Sequence, residues 1–476
     1  MESVASAIQR LGELATSPEV SRLATAFDAV GKELALVGGP VRDAFLGRPV
    51  SDLDFTTNAS PDEILAIVTP VSDAQWDIGR AFGTIGARIG AETVEITTYR
   101  ADSYDGETRK PTVEFGTSLE ADLVRRDFTV NALALRLPGQ VLVDPSGGMD
   151  DLLAQRLTTP SSPEVSFGDD PLRMLRAARF ASQLGFVVEE ATLEAMTTLA
   201  PRIEIVSVER IADELSKLLR TDDPVPGIRL LVESGLAQLV LPEVPALRLE
   251  VDEHAHHKDV YEHSLTVLRQ AIALEKSRHP DDGPDLVLRI AALLHDIGKP
   301  ATRRIEGRGL VTFHHHDVVG SKLAAKRLRH LRFDKDTITS VARLIELHLR
   351  FFGYSEGAWT DSAVRRYVRD AGPLLERLHI LTRADVTTRN VRKADMLSFA
   401  YDNLEERISE IAEAEGLAAV RPDLDGDRIM SILGIRPGRD VGLAYKFLLD
   451  LRLDEGPLGE EKAERRLRDW WDNRSS

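Results

Sequence analysis

Two aspartates close the stretch LVGGPVRDAFLGRPVSDLDF, Leu36 to Phe55, shortly after a glycine pair and an arginine. Asp52 and Asp54 are two apart, so on a strand both side chains project from one face. Two carboxylates on one face repel unless cations lie between them, and such a pair can hold two Mg2+ ions about 3.5–4 Å apart. Ions so placed activate an attacking hydroxyl and neutralise a triphosphate with its leaving group. Gly38 and Gly39 allow positive φ and close approach of backbone N–H groups to phosphate oxygens. Arg42, on the first turn of the helix that follows, reaches the same anion. Glu95, in VEITTYR, is either a third carboxylate near the metals or a plain solvent-facing strand residue.

A second group lies far downstream. His263, the adjacent His295 and Asp296, then His316, His348 and Asp385 all fall within helical patterning. Neutral imidazoles and carboxylates suit hard-to-borderline divalent ions, and these residues are enough for two metals. His314 and His315 read as polar loop residues.

The two groups need different frameworks. LALVGG, TIGARIG, TVEITTYR and VLVDP read as short strands between loops, after an amphipathic helix over roughly the first thirty residues. Beyond Pro171 long segments of 3.6-residue period take over, among them PLRMLRAARFASQLGF, SVERIADELSKLL, LVLRIAALLHDIG and DVVGSKLAAKRLRHL. The expected fold class is an α+β head with a small mixed or antiparallel sheet, followed by an all-α body. The expected division is a head over 1–150, a helical neck over 151–250, a helical metal domain over 251–395 and a helical tail over 396–476.

The bulk numbers narrow the class. In 476 residues there is no cysteine, which excludes disulfides, thiolate zinc sites and cysteine nucleophiles. No apolar run approaches the ~20 residues that span a bilayer, and the acid-containing N-terminus does not read as a signal peptide. A cytoplasmic protein without membrane partners is expected. A formal charge of −17 argues against a generally basic nucleic-acid binder, although affinity follows local patches. KRLRHLRF (Lys326 to Phe333) and TRNVRK (Thr388 to Lys393) are such clusters.

With a GG-x-x-R motif and a D-x-D ten residues after its arginine, the head resembles the DNA polymerase beta nucleotidyltransferase superfamily. LVRRDFTVNALAL (Leu123 to Leu135), DDPLRMLRAARF (Asp169 to Phe180) and SVERIADEL (Ser207 to Leu215) are similar to motifs of the class II CCA-adding enzymes and bacterial poly(A) polymerases. The resemblance runs in order through roughly the first half of the chain. It implies that Arg126 and Asp127 contact the ribose and phosphates of an incoming nucleotide, and that Arg176 and Arg179 make further nucleotide contacts. Asp169 stands where the family usually has Glu.

Asp170 and Arg173, three apart, lie on one face if both are helical. A carboxylate accepts from an exocyclic amino group and a guanidinium donates to the adjacent ring nitrogen. Cytosine and adenine present that pattern; guanine and uracil invert it. Unmet buried groups make the wrong base costly. Asp170-Pro171 is also a good N-cap with Pro at N1.

The His and Asp series, with HDIGKP at its centre, resembles the HD phosphohydrolase superfamily. That resemblance implies a second divalent-metal site acting on phosphomonoesters or 2′,3′-cyclic phosphates. Arg100 to Phe115 resembles the loop that class II enzymes use when switching from C to A, and Asp425 to Leu451 resembles the family's C-terminal, tRNA-cradling segment. The implied activity is Mg2+-dependent addition of CCA to tRNA 3′ ends from CTP and ATP. Poly(A) polymerase and an HD phosphohydrolase with an RNA-binding head are the alternatives.

Overall fold

The computed structural model describes residues 4–50, 52–100, 116, 118–248, 259–307, 311–351, 354, 359–387, 390–415 and 421–474. The chain divides into two compact units, Met1–Pro242 and Glu243–Ser476.

The first unit opens with two helices, Val4–Ala15 and Pro18–Asp28, where the hydrophobic pattern alone suggests one. The break falls where Ser17 accepts a hydrogen bond from the Val20 N–H and Pro18, which has no N–H to lose, begins the second helix. A seven-stranded sheet follows: β1 Leu34–Val37, β2 Leu53–Thr57, β3 Ala74–Trp76, β4 Thr84–Ile89, β5 Glu92–Thr98, β6 Ala134–Leu137 and β7 Val141–Val143. Their spatial order is β3-β4-β5-β2-β1-β6-β7. The β2–β5 pair is parallel and the other pairs are antiparallel, so the sheet is mixed, as expected. All four residues of β1 are buried, which suits a strand with neighbours on both sides. Gly86 on β4 leaves room for the Trp76 indole of β3; a Cβ there would lie 1.9 Å from Nε1.

Among the described residues, helices replace strands almost completely from Pro163 onward; the exceptions are Val187–Val188, which pairs with Arg156–Leu157, and the pair Arg304–Ile305 with Val311–Thr312. Leu172–Leu184 packs with Val208–Leu219 and Val225–Glu233. Gly227 permits the second contact: a Cβ there would come 2.3 Å from the Ala178 carbonyl oxygen. The second unit is built on Val260–Arg278, Leu286–Leu294, His316–His330, Lys335–Leu347 and Leu375–Ala384. Its C-terminal part holds Gly426–Leu433 and Arg439–Glu455, a helix-loop-helix, with Glu460–Arg474. These share a core of Leu424, Ile429, Ile432, Ala444, Leu448, Leu451, Ala463 and Leu467. Among the described residues, no helix is long and apolar enough to cross a membrane.

Candidate active site

Asp52 lies just ahead of β2 and is exposed, while Asp54 is on the strand and half-buried. In the parallel β2–β5 ladder the register partner of Asp54 is Glu95. Partners in one ladder project from the same face, so Glu95 stands beside the aspartates although it is exposed. Burial first, then the charges of Glu95 and Asp52, push the Asp54 carboxyl above its ordinary range, against the pull of Arg126. A concentration of negative charge of this kind suits a divalent cation.

The Gly38 turn connects β1 to the helix Gly39–Leu46. Gly38 has φ +70°, and a Cβ there would sit 3.3 Å from Arg126 Nη1, so both backbone and space call for glycine. Its N–H donates to the Leu133 carbonyl at 3.0 Å, continuing the β1–β6 ladder. That N–H is therefore committed to the sheet, and any anion cradle rests on the helix start and the nearby Arg126. Arg42 is buried: it donates to Asp43 through Nε and Nη2 (2.9 and 2.8 Å) and to Asn131 Oδ1 through Nη1 (2.6 Å). The Asn131 amide in turn donates to Asp127 at 3.0 Å.

Asp127 is buried and accepts from the Phe128 N–H, from Asn131 and from Arg176, whose Nε is at 2.7 Å. Burial opposes ionisation, but the Arg176 charge and these hydrogen bonds outweigh it and hold the carboxyl far below the usual range. Arg179 donates to Glu214 Oε2 at 2.7 Å and to Gln183 at 2.8 Å. Burial lowers the affinity of its guanidinium for the proton, against Glu214. One chain of contacts, Arg42–Asn131–Asp127–Arg176, thus joins the Gly38 side of the site to the helix Leu172–Leu184.

Asp170 and Arg173 are not both on that helix. Asp170 ends the preceding helix, Pro163–Asp169, in an extended conformation (φ −137°, ψ 99°). Its Oδ1 accepts the Leu172 N–H at 3.1 Å and its Oδ2 accepts from Arg210 at 2.9 Å. It therefore caps as expected, but from one residue further out, with Pro171 between it and the helix. Arg173 donates to Ser166 Oγ at 2.8 Å and to the Arg125 carbonyl at 2.6 Å. Separate partners orient the two groups. Asp169 is raised by burial.

Asn131, Glu214 and Arg210 join the site although no motif singles them out; they lie within LVRRDFTVNALAL and SVERIADEL. Asp122 does too: buried, it takes Arg126 Nη2 at 3.2 Å and Arg125 Nε at 3.4 Å. Residues 101–115, where the C-to-A loop is expected, lie outside the described residues.

In the second unit all six expected ligands converge. His263, His295 and Asp385 form one group and Asp296, His316 and His348 another, with ligand atoms in each group within 4.8 Å of one another. His295, His316 and His348 direct Nδ1 to the carbonyl three residues earlier, at 2.9, 2.8 and 2.6 Å. That bond holds the proton on Nδ1 and turns Nε2 inward, as metal-ligating histidines require. His348 Nε2 is buried without a hydrogen-bond partner, and His316 Nε2 lies 3.3 Å from Asp296 Oδ1 without hydrogen-bond geometry. An orphaned buried nitrogen is what a metal would satisfy. Burial would lower His295, but Asp296 and Asp385 push it up to about 10; burial and then the His295 charge lower His348 to about 4. Lys299 Nζ donates to Asp296 Oδ2 at 2.6 Å. His314, 3.4 Å from Glu306, is exposed, and His315 caps the helix His316–His330.

A mixed sheet bearing paired aspartates beside a glycine turn, with an arginine-lined helix behind it, defines a nucleotidyltransferase. Family models match in the same order: Poly A polymerase head domain over 34–158, Probable RNA and SrmB- binding site of polymerase A over 185–247, and HD domain over 260–390. The chain is 36% identical over 427 residues to an A-adding tRNA nucleotidyltransferase of Deinococcus radiodurans, covering 88% of this chain and 91% of that protein. It is 30% identical over 449 residues to a CC-adding tRNA nucleotidyltransferase of Thermus thermophilus, covering 92% and 94%. A CCA-adding enzyme of Geobacillus thermodenitrificans is 40% identical over 208 residues, 44% of this chain and 50% of that protein. The Bacillus stearothermophilus CCA-adding enzyme, solved with CTP, shares the fold with a TM-score of 0.65 at 22% identity, over 96% of this chain and 98% of that one. The chain belongs to the divalent-metal-dependent tRNA nucleotidyltransferase family, CCA-adding enzymes and their A- and CC-adding relatives.

Proposed function

We propose that this chain builds C, C and A in turn on tRNA 3′ ends in the cytoplasm, using CTP and ATP and releasing pyrophosphate. The observation that carries this reading is the level placement of Asp54 and Glu95 across a parallel strand pair, beside Asp52 and Arg126. Asp52 and Asp54, with Glu95 adjacent, would hold Mg2+. When bound, those ions acidify the attacking 3′-hydroxyl and offset the charge of the triphosphate. Arg126 and the start of the helix Gly39–Leu46 meet the phosphates, and Arg42 supports Asp127 through Asn131. Asp127 meets the ribose. Asp170 accepts from the amino group of C or A, while Arg173, with five N–H donors, keeps some for the ring nitrogen. The segment Asp425–Leu451 supports the tRNA through its backbone rather than by base readout.

The six ligands of the second unit would hold one or two divalent ions and cleave phosphomonoesters or 2′,3′-cyclic phosphates at RNA ends. Second readings of the head, addition of A alone or of CC alone, are raised by the near full-length matches to the A-adding and CC-adding relatives. The test is incorporation of labelled CTP and ATP into tRNA lacking its end, by the wild type, Asp54→Asn and His348→Ala. Loss in Asp54→Asn with retention in His348→Ala is expected. Incorporation surviving Asp54→Asn would overturn the assignment.

A further inference from the structure

The arginines assigned to the nucleotide carry like charge and lie close together, so a fixed pattern among them needs a physical cause. Phe180 sits between them. Its side chain is buried, and three guanidinium carbons pack on the ring: Arg179 at 4.1 Å from the centroid, Arg42 at 5.4 Å and Arg176 at 5.5 Å. Each arginine is paired with a carboxylate, and Glu214 serves two of them, lying 3.7 Å from Arg176 as well. Arg42 meets Asp43 at 2.8 Å, Arg176 meets Asp127 at 2.6 Å and Arg179 meets Glu214 at 2.7 Å. The carboxylates tether the arginines to three different segments, and the electron-rich ring is their common attractor. Phe128 meets the ring edge to face, with centroids 5.7 Å apart and planes at 81°, which limits its tilt.

Arg42 belongs to the helix that leaves the Gly38 turn; Arg176 and Arg179 belong to the helix that begins beside Asp170. Phe180 is therefore where the triphosphate side of the site meets the base side. We propose that Phe180 is a positioning residue that sets the spacing of these three guanidiniums and so tunes nucleotide binding. The inference rests on the reading that the arginines serve the nucleotide. An aliphatic side chain would keep the apolar burial and lose the quadrupole. The guanidiniums would then be held by their carboxylates alone and lose the common point that sets their spacing, leaving Asp52 and Asp54 undisturbed. Binding should suffer more than the chemical step.

The experiment measures KM and kcat for CTP and ATP in full-length Phe180→Leu, Phe180→Tyr and a protein carrying 3,5-difluorophenylalanine at this position. In Phe180→Leu a KM rise of about tenfold, equal to ~1.4 kcal/mol, is expected with kcat little changed. Tyr should restore KM, and the fluorinated ring, similar in shape but weaker in quadrupole, should fall between. Wild-type KM in Phe180→Leu, or in the fluorinated protein, would overturn the proposal. Should Phe180→Leu fail to fold, the fluorinated protein decides alone. Arg176→Ala is the control: unchanged KM there would overturn the nucleotide reading of the arginines, and the proposal with it.

Discussion

Asp54 on β2 and Glu95 on β5 are register partners in the single parallel pairing among the described strands of the seven-stranded sheet. Their carboxylates share a face, and Asp54 is raised by burial and by Glu95. Removing the charge of Asp54 should cost incorporation about a thousandfold, the ~4 kcal/mol expected for losing a metal-holding group. Glu95→Gln should cost less, roughly tenfold to a hundredfold. Neither should unfold the protein, since each substitution relieves repulsion; thermal melts in chelator check this.

The Asp127–Arg176 pair makes a prediction about acid. The Asp127 carboxyl is held far below its unfolded value of ~3.9. A depressed pKa contributes stability that is complete above the unfolded value and is lost as pH falls through the folded one. Asp127→Asn should therefore be less stable than the wild type by about 2–3 kcal/mol at neutral pH, allowing for the partial exposure of Arg176. The gap should begin to close below about pH 4. Urea unfolding across that range measures it.

Local rules reached some of this site and not the rest. The two-residue spacing brings Asp52 near Asp54 without knowledge of other strands, although Asp52 falls just ahead of β2 and not on it. Glu95 stayed ambiguous because its closeness to Asp54 depends on which strand β5 joins and in what direction. Asn131 was invisible for the same reason: its partner Arg42 is 89 residues away. Capping rules put Asp170 at the N-cap itself, one residue too near the helix, since Pro171 moves the helix start past it. The six candidate ligands of the second unit, which the structure brings together, are legible because histidines and aspartates are conspicuous within apolar helical segments.

Base choice should follow Asp170. In Asp170→Asn the carboxylate becomes an amide that can donate as well as accept, so rejection of carbonyl-bearing bases weakens. Discrimination of CTP over UTP should fall by about a hundredfold, with kcat for CTP less affected. Competition assays with mixed nucleotides read this ratio.

The second unit should bind metal independently of the head's chemistry. Gly298 lies where a Cβ would come 2.0 Å from the His316 carbonyl oxygen, between the HDIG turn and the next ligand. Gly298→Ala should lower the thermal midpoint, costing about 1–3 kcal/mol, and reduce the divalent metal retained after dialysis. His348→Ala should lose metal outright, because it removes the buried Nε2, and should also lower the midpoint, because the buried ring and its Nδ1 bond to the Ile345 carbonyl go with it. Elemental analysis of both proteins distinguishes the two effects.

The most direct measurement is sequencing of the 3′ ends made on tRNA lacking CCA, with CTP and ATP supplied together and separately. The expected result is two C with CTP alone, C-C-A with both, and growth that stops there. Addition of A only to tRNA already ending in CC would instead establish the A-adding reading. Long A tracts, or no extension at all, would contradict a CCA-building head.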